Sequence, residues 1–451
     1  MRTMDPADQQ DTAIVTSLRE RDLPRVRALL DAHDATEVAS LLEREDAADR
    51  AVMYRLLHRD KALDVFELLD AGMRAELFQG LRAEDVAQVF EDLDPDDRAQ
   101  LVDELPAGVA GKLMRGLSRR ERELTAPILG YPKNAIGRYM STEFVRLLPH
   151  FTLGDALTHV RHRGGDAETV YMLPVTSEHR RVIGVVGLRE LITGRPDQRV
   201  EDIMVDARVV AATEEAESAA RQVVDAGLLA APVIDSEDRI VGIVTVDDAA
   251  RILEEAEDED AARQGASEPL GRPYLATPVF GIVKSRVVWL LVLAVSALLT
   301  VQVLDVFEAT LDKVVTLALF IPLLTGTAGN TGSQAATTVT RALAMGEVSK
   351  RDVFAVAWRE VRVGAILGAL LGTLGFILAG LVFGMPFGIV IGSTLLLICT
   401  LAATVGGCMP MLARLARADP AVFSTPFIST FCDATSLIIY FVVATWVLGI
   451  S

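Results

Sequence analysis

From Val363 to Ala413 the chain runs 51 residues without a charged side chain. A bilayer core about 30 Å thick takes roughly 20 apolar residues as a helix, so this run is long enough for two crossings. It breaks naturally at "FGMPFG" around Pro386. Val287–Leu304 is a further stretch of 18 uncharged residues, Val314–Leu343, with Arg341 near its end, supplies another crossing, and Pro420–Ser451 another, with Asp433 its only charge. The expectation is an α-helical membrane domain with five transmembrane helices.

Five crossings place the termini on opposite sides. The loop Asp305–Lys313 has three acids and one base, and Arg341–Arg362 has five bases and three acids. The turn near Pro386 is uncharged and the next carries Arg414 and Arg417. Basic loops stay in the cytoplasm, which puts the N-terminus inside and the C-terminus outside. "MRTMDPADQQ" at the start is polar and lacks a signal-peptide pattern, in keeping with that orientation. Residues 1–271 carry 33 basic and 54 acidic side chains, a net −21, whereas the remainder carries +3. So acidic a front argues against nucleic acid and for cations as partners, although a solvated surface is the plainer alternative. Cys399, Cys408 and Cys432 lie in apolar stretches with no metal-ligand spacing and imply no disulfide framework.

The second crossing continues as "PLLTGTAGNTGSQAATTVT" from Pro322. Polar residues and glycines are tolerated at membrane depth where the backbone faces protein or a wet cavity. Gly326, Gly329 and Gly332 fit close helix packing. The oxygens of Thr325, Thr327, Asn330, Thr331 and Gln334 fit a pore lining better. Asp433, in "STFCDATSLIIYF", sits among apolar neighbours. A charge there costs about 2.5–3.5 kcal/mol on insertion scales and marks a functional site by default. No Lys or Arg lies near the centre of any segment to pair with it, so its counter-ion is expected to be the substrate. Oxygen ligands without His or Cys favour Mg²⁺ or Ca²⁺.

In the soluble part, "LPVTSEHRRVIGVVGLREL" from Leu173 and "APVIDSEDRIVGIVTVDDA" from Ala231 repeat at an offset of 58. Each copy reads as strand, polar turn, strand and helix start, with a helical segment upstream at Leu153–Arg163 and Glu214–Ala226. The repeat resembles paired CBS modules of α+β type, which often bind adenine nucleotides such as ATP. The resemblance places a ribose-binding Thr-x-x-Asp at Thr245 and Asp248. Gly187 and Glu190 stand there in the first copy, which weakens that site. Tyr171 and Arg189 match nucleotide-contacting positions.

Residues 11–130 are helical in character. "FELLD" at Phe66, "FEDLD" at Phe90 and "LMRGL" at Leu113 recur every 23–24 residues, which suggests short helices stacked into an all-α superhelix. Asp92, Asp94, Asp96 and Asp97 read as a solvated face, with a divalent-ion role as the alternative. Six acids crowd the seven positions Glu254–Asp260, and helical spacing puts Glu255 and Glu259 on one face. This run reads either as an acidic linker or as a segment that packs only when cations are bound.

With these features the chain resembles the MgtE family of magnesium channels over nearly all its length. The carrying motifs are "PLLTGTAGNTGSQ" from Pro322 and "DPAVFSTPFISTFCDATSLIIY" from Asp419. The resemblance implies a multidomain homodimer in the inner or plasma membrane. Its parts would be a helical N domain at 1–132, CBS modules at 133–256, an acidic linker and connecting plug helix at 257–283, and a transmembrane pore domain at 284–451. It implies an ion-selecting role for Asp433, a place at the cytoplasmic mouth for Asp419, and a pore position for Asn330. It also implies closure by cytoplasmic Mg²⁺ at acids matching Glu217, Asp248, Glu259 and Asp260, to which the spacing of the acidic run adds Glu255. Gly227 and Arg251 stand where acids can occur in the family. The rival readings are a broader Co²⁺, Mn²⁺ or Ca²⁺ transporter and a non-conducting, membrane-anchored nucleotide sensor. An enzyme is not expected, because no nucleophile–base or metallo-hydrolase constellation is found.

Overall fold

Helices begin at a fixed cadence in the first part of the chain. After α1 (Pro6–Arg19) come α2 (Leu23–Ala32), α3 (Ala35–Arg44), α4 (Ala47–Leu56), α5 (Arg59–Leu68), α6 (Ala71–Gly80), α7 (Ala83–Asp92), α8 (Pro95–Glu104), α9 (Ala107–Gly116) and α10 (Arg119–Leu129). From α2 onward each starts twelve residues after the one before. The computed structural model describes residues 6–81, 83–270, 273–274, 277–416 and 425–450. These divide into two units, Met1–Ala256 with Gly271–Pro278 and Glu257–Leu270 with Val279–Ser451.

The cadence has a local cause. Asp22, Asp34 and Asp46 stand at N-caps and accept N–H bonds from Arg25 (3.2 Å), Glu37 (2.8 Å), and Ala48 and Asp49 (both 3.0 Å). Each satisfies donors a helix start leaves orphaned. Part of the acidic excess of this region is therefore capping. Ten-residue helices are too short to be stable alone and must stack. The even helices do so on one another, α2 on α4, α4 on α6, α6 on α8 and α8 on α10, and α3 packs on α5 and α7 on α9. Between the layers lie Leu30, Leu42, Met53, Phe66, Met73 and Phe90, all buried. The recurrence of 23–24 residues in the sequence is thus one two-helix unit.

Three arginines at multiples of the same 24-residue spacing tie the units together. Arg50, Arg98 and Arg122 each donate Nε to the carbonyl eight residues back, Leu42, Phe90 and Met114 (2.9, 2.9 and 3.2 Å). Each also donates Nη2 to the carbonyl five residues back. These carbonyls lie at the end of the preceding helix, where intrahelical donors run out.

The CBS-like repeat follows as α11 (Leu153–Arg163), β1 (Met172–Thr176), β2 (Val182–Gly187), α12 (Leu188–Thr193), β3 (Val210–Ala211), α13 (Ala216–Asp225), β4 (Ala230–Ile234), β5 (Ile240–Thr245) and α14 (Val246–Gln264). The starts of β1, β2 and α12 recur at β4, β5 and α14 with the offset of 58. β1 pairs antiparallel with β2 and β4 with β5, while β3 runs parallel to β4. Gly184 and Gly242 are needed at the same register. A Cβ there would stand 2.9 Å from Val205 O or 2.7 Å from Ser141 O, where another stretch of backbone crosses the strand. The acidic run Glu254–Asp260 lies within α14.

The second unit contains α15 (Val279–Val306), the short α16 (Glu308–Lys313), a 3₁₀ segment Val315–Phe320, α17 (Ile321–Ala344), α18 (Val353–Phe383), α19 (Met385–Leu415) and α20 (Thr425–Leu448). The 51-residue run is a hairpin of α18 and α19. It turns at Gly384, whose φ of +96° suits glycine, with Pro386 at the first turn of α19. Gly364, Gly368, Gly372, Gly388 and Gly392 line the seam, and added Cβ atoms would meet the facing helix at 2.6–2.9 Å. Among the described residues four helices are long and apolar enough to cross a membrane: Val279–Val306, Val353–Phe383, Met385–Leu415 and Pro426–Leu448. The expected fifth, α17, spans about 36 Å at 1.5 Å per residue, but its Thr, Asn and Gln keep it below that apolarity. It packs against α19 and α20.

Candidate functional site

Helix α17 has two distinct faces. Leu324, Ala328, Thr331, Gly332, Ala335, Ala336, Val339 and Leu343 are buried against the other helices. Gly326, Asn330, Gln334, Thr337 and Arg341, spaced four, four, three and four apart, form an exposed polar stripe on another face. The threonines contribute less than the sequence suggests. Thr325, Thr327 and Thr331 donate their hydroxyl protons to the carbonyls of Ile321 (2.9 Å), Leu323 (2.7 Å) and Thr327 (2.8 Å) in their own helix. Back-bonding of this kind is the default for Thr within a helix. Only their remaining lone pairs stay available, and Thr331 is buried.

Asp433, on α20, is half-buried. It faces Gly329 of α17: a Cβ at Gly329 would lie 3.3 Å from Asp433 Oδ1 and would overlap Ser429 Oγ. The glycine leaves the carboxylate room beside α17, next to Asn330. One turn on, a Cβ at Gly332 would stand 2.8 Å from Cys432 Sγ. Ser429, one turn before Asp433, was not singled out from the sequence. The i, i+4 spacing to Asp433 was its only signal. Asp419 and Arg417 lie outside the described residues.

The cytoplasmic acids fall into separate places. Glu217 on α13 pairs with Arg221 (3.0 Å). Glu255 is exposed on α14, and Glu259 pairs with Arg263 one turn later. Asp260 follows on the same helix. Asp248 is instead drawn into a junction with the helical repeat, where it is 7 % exposed, accepts from Thr245 Oγ1 (2.7 Å) and pairs with Arg251.

The solvated face expected over Asp92–Asp97 is corrected there. Asp96 and Asp97, in the first turn of α8, are only 2 % and 6 % exposed. Burial, Asp248, Asp97 and Glu168 hold the Asp96 carboxyl well above its usual range. Burial and neighbouring acids push Glu67 up to about 8, and burial with Asp94 and Asp248 pushes Glu168 up to about 8. The sequence could not reveal this, because Glu168 and Asp248, which face Asp96, lie 72 and 152 residues from it, and Asp94 and Asp97, which face Glu67, lie 27 and 30 residues from it. Among the described residues, no three His, Cys, Asp or Glu side chains are arranged to hold one metal ion.

A pH dependence follows. Glu67 and Glu168 lose their protons near 4.5 when unfolded and near 8 when folded. The folded form retains protons that the unfolded form has released. Their stabilisation is complete below about pH 4.5 and is lost as pH rises toward 8. The melting temperature of the soluble unit in the full-length protein is expected to fall from pH 5.5 to 8.5 by several degrees, on the order of the shift for 1–2 kcal/mol. Glu67→Gln should flatten the slope. Identical slopes in both proteins would contradict the assignment.

For a nucleotide, Thr245 and Asp248 are adjacent and hydrogen-bonded, but both are buried. Tyr171 is 63 % exposed, and its carbonyl accepts from Leu188 N–H (3.0 Å). This holds it beside the start of α12, where Arg189 is also exposed. In the first copy Glu190 packs against Gly187, so no Thr–Asp pair exists there.

Comparison with known proteins agrees with this organisation. Residues 321–443 match the MgtE family model, described as a divalent cation transporter, 33–134 match the MgtE intracellular N domain, and 136–196 and 200–255 match the CBS domain. A magnesium transporter MgtE of Thermus thermophilus is 35 % identical over 329 residues, 73 % of each chain. One from Bacillus subtilis is 29 % identical over 336 residues, 74 % of each. Among solved structures, the cytosolic domain of the Mg²⁺ channel MgtE in complex with ATP matches with a TM-score of 0.52 at 29 % identity. The match covers 54 % of this chain and all of that one. The soluble part of a magnesium transporter matches with a TM-score of 0.50 at 25 % identity, covering 55 % and 99 %. With the helical repeat, the paired modules and the membrane helices each accounted for in order, the chain belongs to the MgtE family.

Proposed function

We propose that this protein is a homodimeric, Mg²⁺-selective channel of the inner or plasma membrane, closed by cytoplasmic Mg²⁺. One observation carries the reading: α17 exposes a polar stripe from Gly326 to Arg341 while α20 sets Asp433 against the same helix. Lipid cannot solvate Asn330 and Gln334, so that face belongs to a wet path or a second copy. One carboxylate is little charge for a divalent ion, and a two-fold axis supplies two. Mg²⁺ gives up its waters reluctantly, so Asp433 and Asn330 would hold a hydrated ion through water. In this reading α17 is the fifth crossing, the N-terminus is cytoplasmic and the C-terminus is outside. Asp419 stands at the inner mouth.

Closure is assigned to the acids of α14 with Glu217 and Asp248 as further candidates. Mutual repulsion of Glu254–Asp260 keeps the connecting helices of two copies apart until cations bridge them. The ion must bind the closed state better than the open one, or it shifts nothing. The relative solved with ATP supports an adenine nucleotide at Thr245, Asp248, Tyr171 and Arg189. The family description as a divalent cation transporter favours a second reading of broader selectivity.

The test is Mg²⁺ flux into liposomes, with Co²⁺, Mn²⁺ and Ca²⁺ as competitors and the mass measured in detergent. The expected result is a dimer whose flux falls as lumenal Mg²⁺ on the cytoplasmic face rises. Replacing Glu255, Glu259 and Asp260 together with Ala should shift closure to roughly tenfold higher Mg²⁺ with selectivity kept. No flux at all would leave the membrane-anchored nucleotide sensor. Unchanged closure in the triple variant would reduce the acidic run to a solvated surface.

A further inference from the structure

We infer that the start of α18 binds the headgroup of an anionic phospholipid, through Arg351, Arg359 and Arg362 grouped around the exposed ring of Trp358. Positions 354, 358 and 362 are spaced four apart and share one face of the helix. On that face Phe354 is 88 % and Trp358 63 % exposed. The Arg362 guanidinium lies over the Trp358 ring, 5.9 Å from its centroid, and its Nε reaches the Trp358 carbonyl (3.4 Å). Arg351 and Arg359 are exposed on the same stretch. The opposite face is occupied. Val353 and Val356 pack on Val339, Leu343 and Met411. Glu360 lies against α19, where a Cβ added at Gly407 would stand 2.6 Å from its Cγ. Asp352 accepts from the N–H (2.8 Å) and the hydroxyl (2.6 Å) of Ser349. The two acids between Arg351 and Arg362 are thus engaged elsewhere. Among the described residues none of the three arginines has an ion-pair partner.

Arg362 is the last charge before the 51-residue uncharged run, and Val363 and Ile366 just beyond it are exposed as well. Its guanidinium therefore stands at the edge of the apolar layer, with only its Nε meeting a protein acceptor. A long basic side chain there reaches back to the interface, where the acceptors are lipid phosphates. The guanidinium fork matches phosphate oxygens, and the indole beneath it shields one side from water. Phe354 and Trp358 offer ring surface at the depth where aromatic side chains anchor a membrane helix. Charge selects the headgroup. Three guanidinium groups whose neighbouring acids are turned away attract a net negative headgroup and repel the ammonium of a zwitterionic one. A second copy of this chain is a poor occupant, since a two-fold contact centred here would set these arginines against their own images. The site rests on the membrane-spanning reading of this unit and holds whether or not the unit conducts Mg²⁺.

Native mass spectrometry of the full-length protein in detergent, with equal phosphatidylglycerol and phosphatidylcholine added, tests it. The wild type should retain phosphatidylglycerol roughly tenfold over phosphatidylcholine. Arg362→Gln should cut phosphatidylglycerol retention roughly tenfold and leave phosphatidylcholine unchanged, with Arg362→Lys between the two. Trp358→Leu keeps every charge and should still lose phosphatidylglycerol severalfold, which a diffuse basic rim would not. Lys284→Gln removes an exposed base at the start of α15 and should change retention by less than about twofold. Millimolar glycerol phosphate should displace none of the lipid. Melting temperature serves as the folding control. Equal retention of the two lipids by the wild type overturns the inference, whatever the variants do. So does an equal loss in Lys284→Gln and Arg362→Gln, which would leave a diffuse basic rim, and so does displacement by glycerol phosphate, which would assign the arginines to a free phosphate. Dissociation of Arg362→Gln into monomers would show that a second copy, not a lipid, covers this face.

Discussion

Asp433→Asn should abolish Mg²⁺ flux into liposomes while leaving the protein's elution and melting unchanged. The substitution keeps the shape beside Gly329 and removes only the charge. A carboxylate about 5 Å from a divalent ion, with one water between, contributes roughly 6 kcal/mol at an effective dielectric of 20. A third of that is already worth more than tenfold in affinity. Asp433→Glu keeps the charge but pushes an extra methylene toward Ser429 and α17, so it should retain partial flux with altered competition by Ca²⁺ and Mn²⁺. Wild-type flux and selectivity in the Asn variant would show that the ion does not depend on this carboxylate.

The second large effect is steric. Gly406 of α19 meets Gly332 of α17 backbone to backbone, and a Cβ at Gly406 would overlap the Gly332 carbonyl. A backbone oxygen has no rotamer to escape into, so the two helices must separate. Overpacking typically costs 1–3 kcal/mol, and more where nothing can yield. Gly406→Val is expected to lose both flux and detergent-resistant folded protein. Gly380→Ala is the tolerated control, since its Cβ would stand 3.8 Å from Gly388 Cα. Gly326→Leu separates packing from conduction, because no atom lies within 4 Å of a Cβ there, yet the position belongs to the exposed polar stripe. It should fold and fail to conduct. Normal folding of Gly406→Val would refute the close approach of α17 and α19.

How much of this could be read from the chain depended on whether the signal was local. The break at Pro386 and the offset of 58 are local: a turn residue and a strand pattern each determine their own surroundings. The twelve-residue cadence is local too, but it is written in caps such as Asp34 and Asp46 rather than in hydrophobic runs. Only its doubled form showed, in Phe66 and Phe90. The exposed polar face of α17 was partly legible, since Asn330 and Gln334 stand out in an apolar context. The threonines beside them were over-read, because a hydroxyl bonded to its own helix looks identical in sequence to one facing water. The burial of Asp96 and Asp97 was illegible. The groups that face them, the base Arg251 and the like-charged Glu168 and Asp248, are brought there only by the stacking of the repeat on the CBS pair.

That stacking also fixes how this region can change in length. Even helices rest on even helices, so α8 carries its acids to the junction only while it keeps its place in the even layer. An insertion of 24 residues adds one of each layer and returns every later helix to its side. An insertion of twelve would exchange the sides, turning Asp97 and Asp103 away from Arg251 and Arg138. The domain therefore has a parity, and relatives of different length are expected to differ by whole pairs of helices rather than by single ones.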